Sequence, residues 1–454
     1  LVLKRHYEYW FAAFALHKLG AVMIPATHML TVDDFVYRIN ASGVKAIVCT
    51  AQDDVPSTIK QALRKSEKTP VLWCVQKDVE GFFNLTSQME TAGDAFDRVE
   101  TSAADPMMLY FTSGTTGYPK GVIHDFTYPL AHIVTAKYWQ QAQDDGLHFT
   151  VAETGWAKAS WGKIYGQWLI GSAVMIYDFD NFDPKQLVTV INRYGVTSFC
   201  APPTVYRYLV RKGIESMPTL KHASTAGEML APEVFRKFTQ ETGIPLCEGY
   251  GQTETTLLMA NFKGRQPKEG AMGTVSPFYN IELRDKAGKQ VPDGQIGEVV
   301  IIPPASGKQA GVFTGYLDNE EQYKYVWRGG VYHTGDAAYR DSDGLYWFHG
   351  RFDDIIKTGG FRVGPYEIEN VLMEHPAVVE CSVIGVPDKL RGQAIKAVIV
   401  PGHGYEPTRE LELAIKEFCN RRLAEYKWVR LVEFVSAMPK TISGKIKKTE
   451  LRKG

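Results

Sequence analysis

The densest group of chemically capable residues follows a short apolar run: Thr112, Ser113, Gly114, Thr115, Thr116, Gly117, Tyr118, Pro119, Lys120 and Gly121. Three glycines let the backbone turn tightly, while three threonines and a serine supply hydroxyl donors. Lys120 adds a compact positive charge, and backbone N–H groups exposed in such a loop form an anion-binding nest. The spacing is not G-x-x-x-x-G-K-[ST], because Lys120 is followed by Gly121. A loop that contacts phosphate accounts for this composition better than an ordinary surface turn.

Further charged residues sit in short, distinctive settings. Glu254 closes the run Gly249, Tyr250, Gly251, Gln252, Thr253, and Asp336 closes His333, Thr334, Gly335. Lys445 lies in the basic run Pro439, Lys440, Thr441, Ile442, Ser443, Gly444, Lys445. Taken singly, Glu254 is equally a solvated loop carboxylate or an oxygen ligand for Mg²⁺. Asp336 after a glycine is a turn cap, and a basic C-terminal run is a solvated tail.

Together and in this order the segments resemble the signatures of the acyl-adenylate-forming superfamily, and are most similar to those of its medium-chain acyl-CoA synthetases. The resemblance runs through essentially all 454 residues. It implies ATP, Mg²⁺ and coenzyme A as cosubstrates and cofactor, and it implies site residues one by one. Thr112 to Gly117 and Lys120 would contact phosphate, and Gly227 and Glu228 would lie along adenine. Tyr250 would stack near the base, Thr253 would meet phosphate and Glu254 would help hold Mg²⁺. Asp336 and Arg351 would take the ribose hydroxyls, and Arg362 would stand near the AMP phosphate. Lys445 would bridge the attacking carboxylate and the α-phosphate. Asp353 would be the hinge about which a lid turns to exchange Lys445 for the Gly359–Gly360 face, where the thioester forms.

For the acid, residues 153–163 resemble the acyl-site segment of the medium-chain enzymes, and Trp156 and Gly251 are expected to contact substrate. Trp161 reads equally as channel wall or core packing, and Lys163 as outside the pocket or opposite a polar substrate group. Bulky Tyr110, Phe111 and residues 201–207 point to a short- or medium-chain acid, straight or branched, with an aryl acid as the nearest competitor. A carrier-loading adenylation enzyme, a luciferase-like oxygenase and a nucleotide-binding regulatory protein without catalysis remain open as alternatives. Intact Thr253, Glu254, Asp336, Arg351 and Lys445 speak against the last.

These residues need a scaffold, and the hydrophobic periodicity predicts an alternating one. Helices are expected at 7–19, 32–41, 53–68, 184–193 and 203–212, with strands at 44–49, 71–75, 107–111, 174–177 and 196–201. Residues 76–105 read as a polar, less regular excursion. From about 272 to 350 the pattern changes to short strands with Gly- and Asp-rich turns, a small barrel or sheet-rich subdomain. After 351 it becomes helix, strand, strand, helix. The fold class is α/β: a large multi-subdomain adenylate-forming domain with layered sheets and a barrel-like part over 1–352, plus a mobile α+β domain over 353–454.

Composition restricts the alternatives further. Fifty-one basic and 51 acidic residues cancel, so there is no global field to hold a polyanion, and a nucleic-acid partner is not expected. A hydrophobic fraction of 44% supplies a core. Six scattered cysteines without a C-x-x-C pair suit a reducing compartment. No apolar run reaches the ~20 residues of a transmembrane helix. Residues 1–24 lack signal-peptide organisation, and the chain opens on Leu1 in mid-layer, so a preceding stretch of the large domain is expected. The cytoplasm is the expected location, or an organelle matrix if a targeting segment precedes Leu1. A site built within one chain is compatible with oligomers and does not require them.

Overall fold

The computed structural model describes all residues except 113–118, 229, 353, 360, 442–445 and 453–454, together with the side chain of Arg362. Ser113, Gly114, Thr115, Thr116, Gly117, Asp353, Gly360, Lys445 and the Arg362 side chain therefore lie outside the described residues.

A seven-stranded sheet forms the centre. Its order is Thr274–Val275, Leu257–Ala260, Leu246–Gly251, His222–Ala226, Ser198–Ala201, Leu147–Thr150 and Ala173–Met175. The five strands from Leu246–Gly251 onward run parallel, and the first two are antiparallel. Parallel strands are covered on both faces, which is why His222–Ala226 and Ser198–Ala201 are buried at every position. The crossover helices carry their own start and stop signals. Pro184–Tyr194 begins where the Asp183 side chain accepts the Lys185 N–H, and ends at left-handed Gly195. Pro203–Lys212 begins with a proline at its first turn.

Parallel register fixes the site. Thr225 pairs with Ala201, Ala226 with Gly249, and Cys200 with Thr150, so the carboxyl ends of four strands align. The segments that follow them, beginning at Val151, Pro202, Gly227 and Gln252, therefore emerge along one edge. In open α/β sheets that edge is where ligands bind.

Three other sheets frame it. A parallel sheet of Ala46–Thr50, Val71–Val75 and Phe83–Asn84 stands on the N-terminal side. Residues 76–105, expected to be irregular, contribute that third strand and the helix Leu85–Thr91, capped by the Asn84 side chain. The strands Pro106–Thr112 and Lys120–Asp125 pair antiparallel with Thr112 opposite Lys120, and Gly315–Tyr316 adds a third strand. The 272–350 stretch gives a four-stranded antiparallel sheet in the order Asn280–Arg284, Gly297–Ile302, Tyr332–Arg340 and Tyr346–Arg351.

The C-terminal unit has five strands: Phe361–Val363, Ile356–Thr358, Gly392–Pro401 and Val378–Asp388 in order, with Leu431–Phe434 paired to Gly392–Pro401. Helices Pro365–Met373 and Arg409–Asn420 cover it through Ile368, Leu372, Ile415 and Cys419. Glu367 pairs with Lys427 and Glu369 with Lys448. All six cysteines are buried and free. Among the described residues no helix is long and apolar enough to cross a membrane.

Candidate active site

Asp336 and Arg351 are direct cross-strand partners in the four-stranded sheet. The Arg351 Nη1 donates to Asp336 Oδ1 and to the Thr334 carbonyl, each at 3.0 Å. On the other carboxylate oxygen, the Tyr250 hydroxyl donates at 2.5 Å and the Gln252 amide at 2.7 Å. Gln252 also donates to the Thr334 carbonyl at 2.8 Å and accepts from the Tyr332 hydroxyl at 2.8 Å. These bonds tie the segment after the central strand Leu246–Gly251 to the neighbouring sheet.

Lys120, Glu254 and Arg351 share a second locus. Partial burial lowers the Lys120 pKa, the Glu254 carboxylate opposes that shift and Arg351 adds to it, so the three charges act on one region. The Tyr316 hydroxyl donates to Glu254 Oε1 at 2.9 Å, and Lys120 lies 5.6 Å from the centre of the Tyr316 ring. Burial and the adjacent Glu254 charge raise the Tyr316 pKa, which keeps it a donor. Beneath, His124 Nε2 donates to the Thr253 carbonyl at 2.7 Å. Burial pushes the His124 pKa down to about 4, so the ring is neutral and carries its proton on that nitrogen.

The structure thus brings Lys120, Tyr250, Glu254, Asp336 and Arg351 together, with Thr112 at the start and Thr253 at the floor. Glu228 behaves differently: it is exposed, and its Oε2 accepts from the Thr204 hydroxyl at 2.6 Å. Gly227 beside it is exposed at the strand end, and Gly359 is exposed in the C-terminal unit. Sequence reasoning did not single out Gln252, Tyr316, His124 or Lys158. Lys158 donates to the Ala226 carbonyl at 2.7 Å, and burial, opposed by nearby Glu228, lowers its pKa.

Trp156 caps the helix Ala157–Lys163 and is half-buried. Trp161 is core packing: it is buried against Trp139, Cys200 and Leu257. Its ring also closes the space at Gly251, where an added Cβ would stand 2.4 Å from Trp161 and from the Thr256 carbonyl oxygen. Trp139 does the same at Gly249, at 2.7 Å. Lys163 is wholly buried, donates to the Ala152 carbonyl at 2.8 Å, and is pushed down to about 7 by burial.

A carboxylate–arginine pair, tied by Tyr250 and Gln252 to the segment after the central strand Leu246–Gly251, and a second carboxylate beside a lysine form a charged locus suited to an enzyme that binds a nucleotide. Family comparison agrees. The chain belongs to the AMP-binding enzyme family, matching its main model over residues 1–317 and its C-terminal domain model over 367–445. It is an AMP-forming ligase of the acyl-CoA synthetase type. It is 38% identical to human mitochondrial acyl-coenzyme A synthetase ACSM3 over 459 aligned positions, spanning 100% of this chain and 78% of that protein. Among solved structures it resembles the anthranilate CoA ligase AuaEII bound to anthranoyl-AMP, with 27% identity, a TM-score of 0.88 and coverage of 100% and 86%. It also resembles ATP-bound MatB from Rhodopseudomonas palustris, with 26% identity, a TM-score of 0.84 and coverage of 98% and 86%.

Proposed function

We propose that this chain converts a short- or medium-chain carboxylic acid, straight or branched, to its acyl-CoA thioester through an acyl-AMP intermediate. The observation that carries this reading is the meeting of Lys120 from the Lys120–Asp125 strand, Glu254 from the segment after the central strand Leu246–Gly251, and the Asp336–Arg351 pair from the four-stranded sheet. The identity to an acyl-coenzyme A synthetase supports the thiol acceptor.

In the first half-reaction the substrate carboxylate oxygen attacks the α-phosphorus of ATP, and the bond to the bridging oxygen breaks to release pyrophosphate. The carboxylate is already ionised at neutral pH, so no protein base is required. The residues would contribute orientation and fixed charge: Asp336 and Arg351 to the ribose, Lys120 and the hydroxyl-rich segment from Thr112 to the phosphates, Lys445 to the charge developing between carboxylate and α-phosphate. Glu254 fits Mg²⁺, since a single carboxylate suits an ion that keeps waters and bridges phosphates; when bound, the ion would neutralise phosphate charge. In the second half-reaction the coenzyme A thiolate attacks the acyl carbonyl, and the C–O bond to AMP breaks. The large domain of residues 1–352 and the lid of 353–454 would alternate about Asp353, replacing Lys445 by the Gly359–Gly360 face, with Arg362 near the AMP phosphate.

The test is acid-dependent formation of AMP and acyl-CoA with ATP, Mg²⁺ and coenzyme A, over straight acids from acetate to decanoate plus branched and aryl acids. A maximum among short or medium chains is the expected result. An aryl maximum would move the substrate class, and AMP bound without any acid-dependent product would overturn the ligase reading for this chain.

A further inference from the structure

The segment 152–156 delivers Trp156 to the start of the helix Ala157–Lys163, and nearly every residue in it is held from below. Lys163 Nζ donates to the Ala152 carbonyl at 2.8 Å. The Thr154 hydroxyl donates to the Leu3 carbonyl. A Cβ on Gly155 would stand 2.3 Å from the Thr27 nitrogen, so only glycine allows this approach. The Trp156 N–H donates to the Glu153 carbonyl at 3.2 Å, closing a tight turn.

Glu153 is the one charged residue of that turn, and its anchor is Arg5. The guanidinium donates through Nη1 to Glu153 Oε1 and through Nη2 to the Phe179 carbonyl, while Nε lies 3.2 Å from Asp178 Oδ1. It also stacks 4.1 Å from the Phe179 ring. Arg5 is only 6% exposed, so these are low-dielectric, charge-assisted contacts. His28, 3.8 Å from the second Glu153 oxygen, is a distant neighbour; Lys4 is engaged elsewhere, by Asp53 and Asp180. One arginine thus holds the segments after two adjacent strands, Leu147–Thr150 and Ala173–Met175, in a fixed relation.

We propose that Arg5 is a positioning residue for acid recognition: by fixing Glu153 it fixes the turn that sets where Trp156 stands. The proposal rests on the reading of Trp156 as part of the acid site. Arg5 itself touches neither acid nor nucleotide. Its influence reaches the acid through the 153–156 turn and leaves the Asp336–Arg351 locus, on a different sheet, untouched.

The experiment uses the full chain with Arg5→Gln, Arg5→Lys and Glu153→Gln. Pyrophosphate release is followed with acid varied at saturating ATP, then with ATP varied at saturating acid. Arg5→Gln is expected to raise the KM for the acid about tenfold or more while the KM for ATP stays within about twofold. Arg5→Lys, which keeps the charge but not the fork, should recover part of the loss. Glu153→Gln serves as an independent variant should Arg5→Gln fail to fold. Equal increases in both KM values, or an unchanged acid KM in a folded variant, would overturn the proposal. Amide hydrogen exchange over 152–158 provides a readout that needs no turnover. Faster exchange there in the variants is expected, and unchanged protection overturns the positioning role even if the unsubstituted chain activates no acid, which would instead be the failure of the ligase reading.

Discussion

Glu248 lies in the central strand, two residues before Tyr250, and replacing it by glutamine should change the pH dependence of stability in a calculable way. The carboxyl is 8% exposed and its Oε2 has no hydrogen-bond partner. Burial pushes its pKa from 4.5 up to about 8. The unfolded chain therefore gives up this proton near pH 4.5, and the folded chain keeps it until about pH 8. Between those values unfolding releases a proton, so the contribution of Glu248 is fully present below pH 4.5 and is lost as pH rises through 8. At about 1.4 kcal/mol for each pH unit, the cost approaches ~4 kcal/mol at pH 8 and is about 1 kcal/mol at pH 5. Glutamine has the same shape and no proton to lose; its amide carries its own burial cost, but that cost does not vary with pH. Urea unfolding of both proteins at pH 5 and pH 8, followed through the transition of the large domain, should show Glu248→Gln gaining about 3 kcal/mol relative to the parent between the two values. Buried His124 and His132, pushed down to about 4 and 3, destabilise both proteins equally at acid pH and cancel in the difference. A stability difference that is the same at both pH values would refute the argument that Glu248 is buried neutral.

Other perturbations separate the proposed roles. Lys445→Ala should slow adenylation by about a hundredfold or more while a supplied acyl-AMP still reacts with coenzyme A; equal loss in both half-reactions would remove the separation of roles. Asp353→Pro should slow thioester formation about tenfold more than adenylation, because it restricts the hinge; an unchanged ratio in stopped-flow measurements of the two steps counts against alternation. Gly251→Ala places a methyl group 2.4 Å from Trp161 and from the Thr256 oxygen, so melting should reveal a loss of about 1–3 kcal/mol, and wild-type stability would mean that Trp161 moves freely. Tyr250→Phe keeps the ring and removes a donor to Asp336, so the KM for ATP should stay within about threefold. A rise of tenfold or more would place the hydroxyl, not the ring, on the nucleotide.

How much of this was legible in the sequence depended on the range of the interaction. The helix Pro203–Lys212 was readable to the residue because a proline opens it and Gly213 follows it. The strand Val71–Val75 was equally clear as a short apolar run. The strand Phe83–Asn84 was not, since two residues carry no period, and its helix starts on an asparagine cap inside a polar stretch. The same division holds at the site. Glu254 and Asp336 stood out because their local strings are distinctive. Tyr316 and His124 gave no such signal, because their partners, Glu254 and Thr253, are distant in the chain and meet them only through packing. Lys163 illustrates the limit from the other direction: its charge suggested a surface or a substrate partner, yet it is buried on a carbonyl.

The two carboxylates explain why those unnoticed partners matter. An ionised carboxylate has about four lone-pair sites, and Asp336 already accepts from Tyr250, Gln252 and Arg351. A ribose hydroxyl arriving there adds to a nearly complete shell, so binding is an exchange of donors rather than a simple gain. Among the described residues the Tyr316 hydroxyl is the side-chain donor to Glu254, at one of its two oxygens. Among the described residues Asp336 thus has three side-chain donors and Glu254 one, in keeping with the proposed rigid ribose clamp and adaptable phosphate end. Ordering these side chains during folding removes that entropic cost from the binding step. With the proposed assignment, the arrangement would place the stronger restraint on the part of the nucleotide that does not react, and leave freedom where the phosphate geometry must change.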